Sequence, residues 1–65
     1  MEYQIDYIRS VLAMAMHALE GAAELSRQGR TTEATLKLGD ATAKVRTMAS
    51  RLERLETEAL AAELA

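Results

Sequence analysis

Cysteine, proline, phenylalanine and tryptophan are absent from the 65 residues, histidine occurs once and glycine three times. With no cysteine there is no disulfide framework of the kind that staples small secreted scaffolds, and an intracellular, cytoplasmic setting is the natural expectation. One histidine and no thiol fall short of the four ligands a structural zinc site takes, so neither a metal nor another cofactor is expected. No stretch approaches the roughly 20 apolar residues of a membrane span, and Met1-Glu2-Tyr3-Gln4 lacks the basic start and apolar run of a secretion signal. The formal charge of −2 supplies no global field toward nucleic acid or a membrane. The expectation is a cytoplasmic chain with no membrane partner, encoded by a cell or by a phage or plasmid within one.

What the chain does contain is Ala, Leu, Glu, Arg and Met in abundance, the residues that lose least rotamer freedom in a helix. Ile5, Ile8, Leu12, Ala15, Leu19 and Ala22 alternate spacings of three and four and so share a helical stripe. Leu38, Ala41, Val45, Met48, Leu52 and Leu55 form a second stripe of the same kind, continued by Ala34, Ala59 and Ala62. Between the two, Gly29 suits a left-handed helix cap, Arg27 and Arg30 put positive charge at the carbonyl pole, and Glu33 falls in the next helix's first turn. Thr31 or Thr32 is the expected side-chain cap of that helix. The fold class is therefore all-α: a single domain, residues 1–65, forming an antiparallel two-helix hairpin with helices at about 3–28 and 32–64. A turn centred on Arg30 makes facing residue numbers sum to about 60, which pairs Ala22 with Leu38 and Leu12 with Met48. Gly21 and Gly39 are equidistant from Arg30, and each reads either as a tolerated surface residue or as a close backbone approach.

A chain of this length buries roughly 60% of its unfolded surface and is marginal alone. With disulfide and metal staples excluded, a second surface must complete the core, and two hairpins dimerising into a four-helix bundle, or a higher oligomer, meet that need. The expected oligomer or partner interface is Val11, Ala18 and Leu25 on one flank of helix one, Met14 and Met16 on the other, and Leu60 and Leu64 on an overhanging end of helix two. Lys37, Lys44 and Arg51 could instead lay their alkyl stems over part of that face.

Chemistry has few footholds. His17, Glu20 and Glu24 share roughly one helical face, but di-metal bundles pair several carboxylates with Glu-x-x-His, and here the order is reversed and occurs once. Two helices offer no enclosed pocket for acid and base groups, there is no Gly-rich phosphate loop, and no enzyme activity is expected. Arg30, Lys37, Lys44 and Arg51 recur every seven residues, either as a basic ridge contacting phosphates or as a solvated flank threaded by pairs such as Asp40 with Lys44. Tyr3 and Tyr7, one turn apart, are placed to cover the open end of the bundle.

The pattern Leu25-x3-Gly29-x4-Ala34-x3-Leu38-x2-Ala41 resembles the turn and second helix of a tetratricopeptide repeat. It covers about a quarter of the chain and implies a hairpin; a single unit implies no peptide-binding groove, because a solenoid takes about three. In size and layout the chain is also similar to helical-hairpin co-chaperones of type III secretion and to plasmid copy-number regulators built as dimers of hairpins. The functional expectation is a non-enzymatic protein-interaction module, a regulator, inhibitor or chaperone subunit acting through helix faces of a homo-oligomer on a protein partner. An RNA- or DNA-binding dimer using the basic ridge is the alternative, and sequestration of a small ligand between subunits is the third.

Overall fold

The computed structural model describes residues 1–65 as two helices, α1 (Glu2–Arg27) and α2 (Thr31–Leu64), packed against each other as an antiparallel hairpin 55 Å long and 15 by 11 Å across. Both helices run without a break, α2 passing through Gly39-Asp40 with its hydrophobic phase intact. The ends agree with the sequence expectation to within one residue.

Gly29 makes the turn. It adopts φ +78°, the only positive φ in the chain, and its N–H donates to the Ser26 carbonyl at 3.0 Å while the Arg30 N–H donates to the Leu25 carbonyl at 2.9 Å. That pair of bonds is the Schellman closure, which satisfies the orphan carbonyls at the end of α1 and turns the chain in three residues. Such a tight closure starts α2 one residue early and overturns the expected cap. Thr31 is already helical, Arg30 occupies the capping position with no side-chain cap bond, and its guanidinium instead holds Glu33 at 2.6 to 2.9 Å. The threonine hydroxyls point back along the helix: Thr35 donates to the Thr31 carbonyl and Thr42 to that of Leu38.

The early start also shifts the register. Tyr7 stacks with Arg51 and Gly21 lies against Lys37, so those numbers sum to 58; Ala18 with Ala41 gives 59. The turn is centred on Gly29 rather than Arg30, and the offset of 60 is corrected by about two residues.

The larger correction is rotational. The buried residues are Ile8, Ala15, Ala18 and Ala22 of α1 with Ala34, Ala41 and Met48 of α2, and Val11, Leu12, Leu25, Leu55 and Ala59 are half-buried. Five of the seven are alanines, because small side chains let two backbones approach most closely, and helices turn their smallest residues toward the contact. Val11, Ala18 and Leu25, expected on the outside, thus belong to the flank of α1 turned into the hairpin. Ile5, Leu19, Leu38, Val45 and Leu52, expected in the seam, remain 41 to 47% exposed.

Gly21 and Gly39 mark no close approach. A Cβ on Gly21 would meet only the Lys37 alkyl chain at 3.8 Å, and one on Gly39 would meet nothing within 4 Å. Two glycine substitutions should therefore change stability in opposite directions. Gly29→Ala is expected to cost about 1 to 2 kcal/mol, from left-handed backbone alone. Gly39→Ala is expected to gain up to about 1 kcal/mol by helix propensity. Urea unfolding of the two variants beside the parent checks both signs, and a neutral Gly29→Ala would contradict the turn geometry.

Candidate interaction face

The rotation divides the hairpin into two unlike sides. Near the turn, one side presents a groove of about 300 Å³ formed by Leu19, Ala22, Ala23 and Ser26 of α1 with Thr31, Ala34, Thr35 and Leu38 of α2. Leu19 and Leu38 therefore share a face. Stepping by seven residues keeps a helix position nearly on the same face, so Ile5 and Leu12 continue the Leu19 column, and Val45, Leu52 and Ala59 continue the Leu38 column. Ile5 with Leu52, Leu12 with Val45 and Leu19 with Leu38 each sum to 57, within one residue of the observed offset, and form three apolar rungs about 10 Å apart. Their floor is the buried line of Ile8, Ala15, Ala22, Ala41 and Met48. The flanking columns are Met16 and Ala23 on α1 and Thr35, Thr42 and Ala49 on α2, so charge returns only at Glu2 and Arg9 and at Glu56, toward the open end.

All the charge lies elsewhere. On the opposite side Met14, His17 and Ala18 meet Lys37, Asp40 and Lys44 across a shallow groove. Lys44 Nζ donates to Asp40 at 2.7 Å, the Lys37 stem crosses Gly21, and the Arg51 guanidinium sits 5.0 Å from the centroid of the Tyr7 ring. Lys37 and Lys44 line shallow grooves with Ala18, and Lys37 with Leu25, so long basic stems border part of that flank. Arg30, the fourth cation of the expected phosphate ridge, is held by Glu33. Of the four, only Lys37 lacks an ion pair or a ring partner.

The remaining expected interface residues scatter. Met16 borders the apolar face, Met14 lies on the charged side, and Leu60 and Leu64 are exposed on the part of α2 that runs past α1. Of the middle of the face, Leu12 is half-buried as its place in the expected seam implies, whereas Val45, expected in the same seam, is 45% exposed. The signal for the face was present in the sequence as two adjacent stripes on each helix, of which a single hairpin can bury only one.

At the open end Tyr3, Gln4, Tyr7 and Ile8 meet Arg51, Arg54, Leu55 and Glu58 around a groove of about 390 Å³. Tyr7 stacks there, but Tyr3 projects into solvent and covers little. His17 Nδ1 lies 3.9 Å from Glu20 with both side chains exposed, and no three His, Cys, Asp or Glu side chains converge. No polar or charged side chain is buried anywhere. Nor is any helix long and apolar enough to cross a membrane.

One carboxylate is electrostatically tuned. Glu24 accepts from Arg27 at 2.7 and 3.1 Å and from Gln28 at 3.2 Å. The Arg27 hydrogen bonds, then that of Gln28, then the Arg27 charge hold its carboxyl below the ordinary 4.5. A lowered folded value means that its contribution to the last turn of α1 is present above the unfolded carboxylate range and is lost as pH falls through the lowered value. Because the group is wholly exposed, the effect is small: Glu24→Gln should flatten part of the acid limb of a stability-against-pH curve and leave the plateau near pH 7 almost unchanged. An acid limb identical to that of the parent would show the pair to be inert.

No protein-family model, curated protein or solved structure matches the chain, so its surfaces alone carry the functional reading.

Proposed function

We propose that this chain is a non-enzymatic protein-interaction module of the cytoplasm, a regulator, inhibitor or chaperone subunit, that works as a homo-oligomer. In this reading two hairpins join face to face as a four-helix bundle and offer the remaining helix surface to a protein partner. The uncharged face of Ile5, Leu12, Leu19, Leu38, Val45 and Leu52 is the observation that carries it. Soluble monomers rarely leave a contiguous apolar patch of this kind open.

Area supports the same reading. The hairpin exposes 5180 Å² at 7.1 kDa, whereas a compact monomer of that mass exposes about 4,100 Å². The excess of about 1,100 Å² is similar to the roughly 800 Å² that each partner contributes to a standard interface. Nucleic-acid binding has less behind it, because three of the four cations of the ridge are already engaged.

Sedimentation equilibrium across a dilution series tests the proposal, with a mass at least twice that of the 7.1 kDa chain expected. A mass of one chain at every concentration, with a cooperative melt, would remove it. Salt-dependent binding of RNA or DNA at low ionic strength would favour the basic ridge instead.

A further inference from the structure

Self-association leaves the direction of the second copy open, and the structure carries an argument for one direction. A two-fold axis lying in the face can run along the helices or across them. Along the helices, the two turns come together and α1 stacks on the partner's α2. Across them, the hairpins run head to tail, α1 on α1 and α2 on α2.

The apolar rungs fit both arrangements, and two further features separate them. The rungs are evenly spaced about the Leu12–Val45 pair, so an axis across the helices at that level sets Leu12 on the partner's Leu12, Val45 on the partner's Val45, Ile5 near the partner's Leu19 and Leu52 near the partner's Leu38. Every one of those contacts is apolar, as are the rung contacts with the turns together, so the choice rests on the ends of the helices. Next, α2 continues past the level of α1's first residue for about eight residues, or about 12 Å, with Ala59 prolonging the apolar column. Within its own hairpin that stretch has no helix to lie on. Head to tail its first turn meets the start of the partner's α2, Ala59 beside the partner's Thr31; with the turns together it lies on nothing. Last, the turns-together arrangement brings Glu2 level with the partner's Glu56 on the rim of the face, two carboxylates side by side. Head to tail, Glu56 comes beside the partner's Thr35 and Glu2 beside the partner's Ala23.

We infer that the apolar face is occupied by a second copy of this chain running head to tail, related by a two-fold axis that crosses the helices at the Leu12–Val45 rung. This rests on the self-association proposed above and adds its geometry. The start of the overhang, through Ala59, then becomes part of the interface, and Leu60 comes level with the partner's turn.

Because the chain has no cysteine, a single introduced thiol reports the geometry directly. Leu12→Cys and Val45→Cys are each prepared alone, with Leu36→Cys on the exposed outer surface of α2 as control. Leu12 is half-buried and Val45 half exposed, so the hairpin should survive both changes, which far-ultraviolet circular dichroism verifies. Under mild oxidation each single variant should form a disulfide-linked dimer at least ~10-fold faster than the control, since the axis holds identical residues together at high effective concentration. If neither cross-links alone but an equimolar mixture does, the turns lie together and the inference is overturned. If no combination cross-links while the parent sediments as a dimer, the face itself is misassigned and self-association stands. A parent that sediments as one chain removes the proposed function and this inference together.

Discussion

Ala41→Asp is expected to leave the chain unfolded at room temperature. Ala41 is 2% exposed and forms a buried cluster with Ala15 and Ala18 between α1 and α2. The cations within a helical turn of it both face solvent: Lys44 already holds Asp40, and Lys37, four residues back, would have to leave water to reach a carboxylate in the contact. An unpaired buried charge costs several kcal/mol, and a chain of this size has about 3 to 10 kcal/mol of total stability. Relief is available only by separating the helices, and once separated neither keeps its apolar stripe covered. Ala43→Asp, on the exposed outer surface of the same helix, carries the same charge and propensity change and is expected to fall within about 0.5 kcal/mol of the parent. Circular dichroism melts of the two variants make the comparison. A folded Ala41→Asp would place the contact between the helices somewhere other than the alanine line.

That line also explains what could and could not be read from the residues. Both helices, their ends and the turn at Gly29 were legible, because proline is absent, hydrophobic spacing is regular and a glycine stands where a left-handed residue is needed. The rotation of each helix was not. The expected stripes alternate large residues such as Leu12, Leu19, Leu38 and Leu52 with small ones such as Ala15, Ala22, Ala34 and Ala41, and spacing gives both kinds an equal claim to the contact. Geometry favours the small ones. Ala15, Ala22, Ala34 and Ala41 permit close approach, and the leucines beside them turn half outward onto one side. The same ambiguity hid the apolar face: two adjacent stripes on each helix compete for one neighbour, and spacing alone ranks neither first. The basic residues were legible as a seven-residue repeat, but the place of Lys37 and Lys44 beside Ala18 and Leu25 depends on an offset of 58, and a shift of two residues moves each stem by about 3 Å along its neighbour.

Val45→Glu should dissociate the assembly while sparing the hairpin. Val45 stands at the middle of the open face and is 45% exposed, so in a lone hairpin a glutamate there can hold its carboxylate in water at little cost. In the proposed bundle the same change buries two carboxylates against each other across the axis, and association is expected to weaken at least 100-fold, or about 3 kcal/mol. Folding of so small a core is coupled to that association, so the parent's melting temperature should rise by a few degrees for each tenfold increase in protein concentration. The variant should lose that slope and melt lower at every concentration. Acid gives the matching control, because protonation below the carboxylate range removes the repulsion and should partly restore the dimer. Met14→Glu, on the charged side, adds the same group without touching the face and should keep both the parent's mass and its concentration slope. If Met14→Glu dissociates the protein and Val45→Glu does not, the hairpins meet through the side that Lys37, Lys44 and Arg51 border, and those stems must swing aside to admit the partner.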